Sequence, residues 1–421
     1  MKAATGLSSL AVGAPLRAQT RMDLIPHAQR SRQALLDEIH RRSCHFFYDQ
    51  VNPELGLVHD RAIHTGREQR AVSSIAATGF GLSALCIADQ QRYFAAGSIR
   101  RRVQATLEYL ASEAPHEHGF FPHFLNIRTG ERIWGCEYSS VDTAWLLCGV
   151  LHCRATFADS GIQALADEII GRVDWRWMLN GGPTLSHGWT PEHGFLPYRW
   201  DSYSELMAMN LLAVSTGTTT LPGESWHAWA RPFRNWKGAE YIDSPAPLFV
   251  HQFSHAWFDF RARRDRYADY FANSRLATEA HQEYCAGLSA QFPWYSMDMW
   301  GITASESETG YVAWGTPAAP VPPNGTLVPC AAAGSMPFLP DQCTTVLETM
   351  LERYGNKVWT RYGFVDAFHP GKGWYSPDII GIDVGITLLM IENARTGSVW
   401  NAIMSTVEAP RAFDIVGLQK A

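Results

Sequence analysis

Six stretches of this chain, 71–89, 141–157, 201–214, 249–262, 339–353 and 383–394, are low in charge and read as helices apolar around most of their circumference. A helix without a polar face has no side to turn to water, so each of these must be buried. The helices between them, such as 31–50, 98–111 and 271–290, carry charge on one face and suit the outside. Alternation of buried and half-exposed helices predicts an inner ring wrapped by an outer ring. The expected architecture is therefore an all-α (α/α)6 barrel, a single domain over 31–421, with a short β-hairpin at Gly119–Ile133 and long loops. An irregular helical solenoid is the alternative, but no repeat of fixed period is visible. In such a barrel the loops leading into the inner helices gather at one end.

The 421 residues would suggest two or three domains by length alone, yet no Gly/Ser/Pro-rich linker divides them. No run of eighteen apolar residues occurs, so no membrane span is expected. A net charge of −6 with both signs interspersed argues against nucleic acid and anionic membranes as partners. The eight cysteines show no CxxC pair and indicate neither a disulfide framework nor a zinc site. Residues 1–30 read as a leader: Lys2, a short apolar stretch and a cleavage region around Leu16-Arg17-Ala18 form a weak secretory signal. Periplasmic or secreted localisation is the expectation, with the cytoplasm left open.

Acids and aromatic rings concentrate where the buried helices begin. In WGCEYSSVDTAWLLCGVL (134–151), Ser139 and Ser140 suit a helix N-cap and Asp142 the first turn. Glu137 precedes them on a loop, with Trp134 and Tyr138 beside it. A second cluster, 188–213, holds Glu192, Asp201 and Glu205, flanked by Trp200 and Tyr203. Asp201 and Glu205 are four apart and are expected on one helix face. If both clusters line one cavity, a carboxylate from each can flank a glycosidic bond as acid and base. Taken singly, each acid also fits a dipole or solvated-face role.

His251 and His255 are likewise four apart, but no Glu follows His251 and the HExxH metal pattern fails. No metal site is expected. The two rings suit substrate contact or structural hydrogen bonding, and His123 suits a sugar hydroxyl. Trp300 lies in the long loop WGITASESETGY, a length that tends to be functional. Asp383 opens a buried helix and is expected to face the cavity.

Ten motifs in order, among them GFFPHFLNIRTG, EYSSVDTAWLLCGVL, GWTPEHGFL, WDSYSELM, HQFSHAWFDFR, WGITASE, RYGFVDAF and GIDVGITLLMIENARTG, resemble the glycoamylase-like family from about residue 35 to 405. That family is similar to glycoside hydrolase family 144, the bacterial endo-β-1,2-glucanases. The resemblance implies an (α/α)6 barrel, hydrolysis of β-1,2-glucan with inversion at the anomeric carbon, no cofactor and export. It places the catalytic carboxylates on Glu137 and Glu205, with Asp142 supporting. Glu137 is assigned as acid and Glu205 as base, the reverse being open. The chain departs from the expected pattern at Asn324 and Val384, which bears on linkage and endo action. The expected partner is an oligo- or polysaccharide, bound by a monomer. A transglycosylase on the same barrel and a non-catalytic glycan-binding protein are the alternatives.

Overall fold

The computed structural model describes residues 32–315 and 321–421, so the expected leader lies outside the described residues. The chain forms, in order, α1 (Arg32–Asp49), α2 (Ile75–Gln90), α3 (Ser98–Ser112), α4 (Ser140–Thr156), α5 (Ser160–Gly171), α6 (Trp175–Leu179) and α7 (Met207–Ser215). There follow α8 (Tyr270–Gly287), α9 (Pro329–Ala333), α10 (Pro340–Tyr354), α11 (Gly381–Arg395), α12 (Ser398–Met404) and α13 (Glu408–Val416). The strands are short, none exceeding four residues among the described ones, and pair locally in small sheets.

The uncharged helices are buried as their composition requires. α2 buries every residue from Ile75 to Ala88, and α4 and α11 are nearly as enclosed. α2 packs on α4 and α11, α4 on α7, and α7 on the 3₁₀ turn Phe253–Ala256. Gln252 carries the contact onward, donating from Nε2 to the Ala331 carbonyl of α9 at 2.8 Å and to Ser335 at 2.7 Å. α9 packs on α11, which closes the cycle. α2 and α4 cross where Gly79 meets Gly149: a Cβ on Gly149 would stand 2.1 Å from the Gly79 carbonyl oxygen. Around this buried set lie α1, α3, α5, α8 and α10, each with an exposed face.

Three local expectations are corrected. Residues 249–262 form no α-helix; they fold as two 3₁₀ turns, Leu248–His251 and Phe253–Ala256, whose side chains Gln252 and Ser254 bond to neighbouring elements. The 339–353 segment is α10, which buries one face only, while the enclosed element at that place is the five-residue α9. The helix expected from Trp200 begins at Met207. The hairpin expected within 119–133 is present around Gly130, with Leu125 bridged to Arg132 and Asn126 bonded to Glu131, and its strand Phe124–Asn126 also pairs with Val72–Ser74.

Candidate active site

Glu137 owes its position to three chain segments. Its carbonyl accepts the His123 N–H at 2.9 Å, and Tyr138–Ser139 pairs antiparallel with Gly188–Trp189. Gly188 is required there, because a Cβ would meet the Glu137 Cγ at 2.7 Å and the Tyr138 carbonyl at 2.8 Å. Ser139 caps α4 as its sequence position suggests: its hydroxyl accepts from the Asp142 N–H at 3.3 Å and donates to Asp142 Oδ2 at 2.5 Å.

His123 binds this group together. Its Nδ1–H donates to Glu137 Oε1 at 2.9 Å and lies 3.7 Å from Asp142 Oδ2. Burial opposes a charge on the ring, but Asp142 and Glu137 outweigh it and hold its pKa up at about 9. Burial likewise raises Glu137, but the His123 hydrogen bond and charge prevail and leave its carboxyl below its ordinary range. Asp142 is raised by burial, against His123 and Ser139. Among the described residues these three are the group whose ligand atoms fall within 4.8 Å of one another. The 2.9 Å separation has the length of a hydrogen bond, whereas two ligands of one tetrahedral zinc ion sit roughly 3.4 Å apart.

Glu205 is the opposite case. It sits on the turn before α7, where Ser254 holds the backbone: the Ser254 hydroxyl donates to the Glu205 carbonyl at 2.8 Å and accepts from the Ala208 N–H at 3.0 Å. No cation pairs with its carboxylate among the described residues. Burial, joined by the charge of Asp142, pushes its pKa up to about 7. The charge of Glu137 raises Asp142, and that of Asp142 raises Glu205, so the three carboxyls are linked through Asp142.

A second set of acids comes from the other end of the sequence. Asp383 opens α11 and shares its surroundings with Asp366, Asp60, Arg61 and Cys330. Asp366 Oδ1 and Asp383 Oδ2 are buried with no donor from the rest of the protein. A proton kept between them satisfies both, and burial raises the pair accordingly. Arg61 forms ion pairs with Asp60 and Glu306, and the Glu306 N–H donates to Asp366 at 2.8 Å. Asp60 also acts on His123 and Asp142, so this set adjoins the first. Sequence reasoning missed Asp60, Arg61 and Glu306. An Asp-Arg dipeptide reads as ordinary surface, and nothing local marks this one.

The remaining predicted residues divide by burial. Trp134 is 72% exposed, on a left-handed backbone (φ 59°), its ring edge-on to Phe124, which in turn stacks on His123. Tyr138 is half-buried beside Trp189. Asp201 is exposed and precedes α7, so it shares no helix face with Glu205. Glu192 is held by Arg132 through two contacts of 2.8 and 2.9 Å. Trp200 stacks on His187 and donates to Ser140 at 2.8 Å. Tyr203, Trp300 and His255 are enclosed by protein and present no ring face to a ligand; Tyr203 hydrogen-bonds His251 at 3.0 Å and His255 bonds Ser274 at 3.0 Å. Burial lowers both histidines to about 3, keeping them neutral.

Comparison with known proteins follows this geometry. A relative in Parabacteroides distasonis named "Exo beta-1,2-glucooligosaccharide sophorohydrolase (non-reducing end)" is 25% identical over 92% of this chain, which spans 58% of that protein's length. The crystal structure of a Bacteroides fragilis protein described as a "putative glucoamylase" superposes with a TM-score of 0.85 at 29% identity, over 94% of this chain and 99% of that one. The endo-β-1,2-glucanase of Chitinophaga pinensis, solved with sophorotriose and glucose, gives 0.83 at 26% identity, over 93% and 99% of the two chains. Residues 197–407, which run from the Glu205 turn through Asp366 and Asp383, match the family Glycoamylase, described as "Putative glucoamylase". With half of its length in that match, the chain belongs to the glycoamylase family.

Proposed function

We propose that this protein is a glycoside hydrolase that cleaves β-1,2-linked glucan with inversion, on an (α/α)6 barrel and after export. The observation that carries the mechanism is the opposed environment of two carboxyls that share Asp142 as a neighbour. Glu205, raised to about 7, keeps a proton near neutrality and protonates the departing glycosidic oxygen. Glu137, kept ionised by His123, takes a proton from water attacking the opposite face of the sugar. This reverses the assignment favoured by the sequence. The cycle of buried helices supports the barrel, and the names of the similar proteins support the substrate.

The Asp366–Asp383 pair favours a second reading, in which Asp383 activates the water and Glu137 orients the sugar. Product release from linear β-1,2-glucan by wild type, Glu137→Gln, Glu205→Gln and Asp383→Asn separates the two. Near-complete loss in the first two variants supports the proposal. Retained turnover in Glu137→Gln alongside loss in Asp383→Asn moves the base to Asp383. An α-configured first product, seen by NMR, supports inversion of a β-linkage; a β-configured one contradicts it.

A further inference from the structure

A cavity of about 420 Å³ carries Arg67, Arg70, Arg128 and Arg361 on its walls. Four guanidinium groups on one cavity stand out in a chain of net charge −6. Two carboxylates, Asp49 and Glu68, share the walls. Glu68 is committed, since it accepts from Arg70 at 2.7 and 2.8 Å and from the N–H groups of Ile63, Gln69 and Arg70. Arg70 is committed in turn, reaching Asp378 with its other contacts at 2.6 and 2.8 Å.

The other three arginines are not neutralised in this way. Arg128 donates to the Gln69 carbonyl at 2.9 Å, and Arg361 to the Gly66 carbonyl at 2.8 Å. Neither they nor Arg67 lies within ion-pair distance of a carboxylate among the described residues. Arg361 Nε and His59 Nδ1, both on the cavity wall, are buried without a hydrogen-bond partner. Guanidinium groups match the planar or trigonal oxygens of carboxylates and phosphates.

The cavity also has an address. Phe124–Asn126 continues directly from His123, pairs with Val72–Ser74, and turns at Arg128. Three residues of strand place Asn126 about 10 Å from His123. The same strand therefore ties His123, at the candidate site, to Arg128, at the cavity.

We infer that this cavity binds an anionic group, a phosphate ester or a carboxylate, carried by the glycan whose backbone occupies the cleft. The carrier's identity rests on the hydrolase reading; the anion site does not. Two arms test it on the full chain. Calorimetric titration with inorganic phosphate should give saturable binding to wild type, weakened about tenfold or more in Arg67→Ala/Arg128→Ala and by added salt. Both side chains are exposed, and neither closes the fold. In the second arm, the ratio of kcat/KM for succinylated over neutral linear β-1,2-glucan should fall several-fold in the same variant.

Absent phosphate binding in wild type, or equal binding in the variant, overturns the site. Phosphate binding with no preference for the succinylated chain overturns its assignment to a glycan group and leaves a site for a free anion. If neither glucan is cleaved, the hydrolase reading fails while the phosphate arm still decides the cavity.

Discussion

Glu137 and Glu205 are the same side chain in two solvents. Glu137 sits on a loop edge, clamped between short strands and facing an imidazolium that keeps it ionised. Glu205 sits on the turn before α7 with no cation beside it, so burial and the Asp142 charge push it up to about 7. The difference lies in what each backbone setting brings near. A strand edge imports His123 from a neighbouring segment, while the turn before α7 is held through its backbone by Ser254.

The comparison breaks hardest at the raised carboxyl. Glu205→Gln removes the proton donor and should lower kcat on linear β-1,2-glucan by roughly 10²–10⁴-fold, with the fold retained by circular dichroism. Gly188→Ala strikes the other side, forcing a methyl against the Glu137 Cγ. Turnover should drop about a hundredfold, since misplacement by an ångström has that effect, and a crystal structure would show Glu137 displaced from His123.

A smaller effect comes from the scaffold under Glu205. Ser254→Ala leaves the Ala208 N–H without its acceptor and frees the Glu205 carbonyl. Stability should fall by about 1–3 kcal/mol in denaturant unfolding, with a modest loss of kcat. The smallest effect belongs to the rim. Trp134→Ala should raise KM a few-fold, as expected for one exposed ring, and leave thermal stability unchanged.

Much of the scaffold is legible in the sequence because it rests on local rules. Low charge over fifteen or so residues marks α2, α4 and α11, and Ser139 before Val141-Asp142 marks an N-cap. Where a tertiary partner competes for the backbone, those rules fail. His251 to Phe260 has helical spacing, yet it forms two 3₁₀ turns whose Ser254 and Gln252 side chains reach the Glu205 turn and α9. α9 is too short for periodicity to register, and its burial comes from neighbours distant in sequence.

Within the site, Glu137, Asp142, Glu205 and His123 were legible because each lies in an aromatic-rich stretch at the start of a buried element. Which of them holds a proton was not, since that depends on His123 meeting Glu137 across fourteen residues of intervening chain. Asp60 and Arg61 reach the site with the help of the pairing of Arg61–Ile63 with Asp378–Ile380, a contact spanning most of the sequence. Tyr203, beside Asp201 and Glu205 in the sequence, and Trp300, in its long loop, show the converse: both fill the core.

The most direct test is the pH dependence of kcat/KM for wild type and His123→Gln on linear β-1,2-glucan. Glu205 as acid is competent below its raised pKa and fails as pH rises through it, so the alkaline limb should lie near 7 in both proteins. Glu137 as base is competent above its lowered pKa, so the acid limb should lie below the ordinary carboxylate range in wild type. Without the imidazolium that limb should move upward while the alkaline limb stays. An alkaline limb that shifts in His123→Gln, or an acid limb that does not, would contradict the assignment of Glu205 as acid and Glu137 as base.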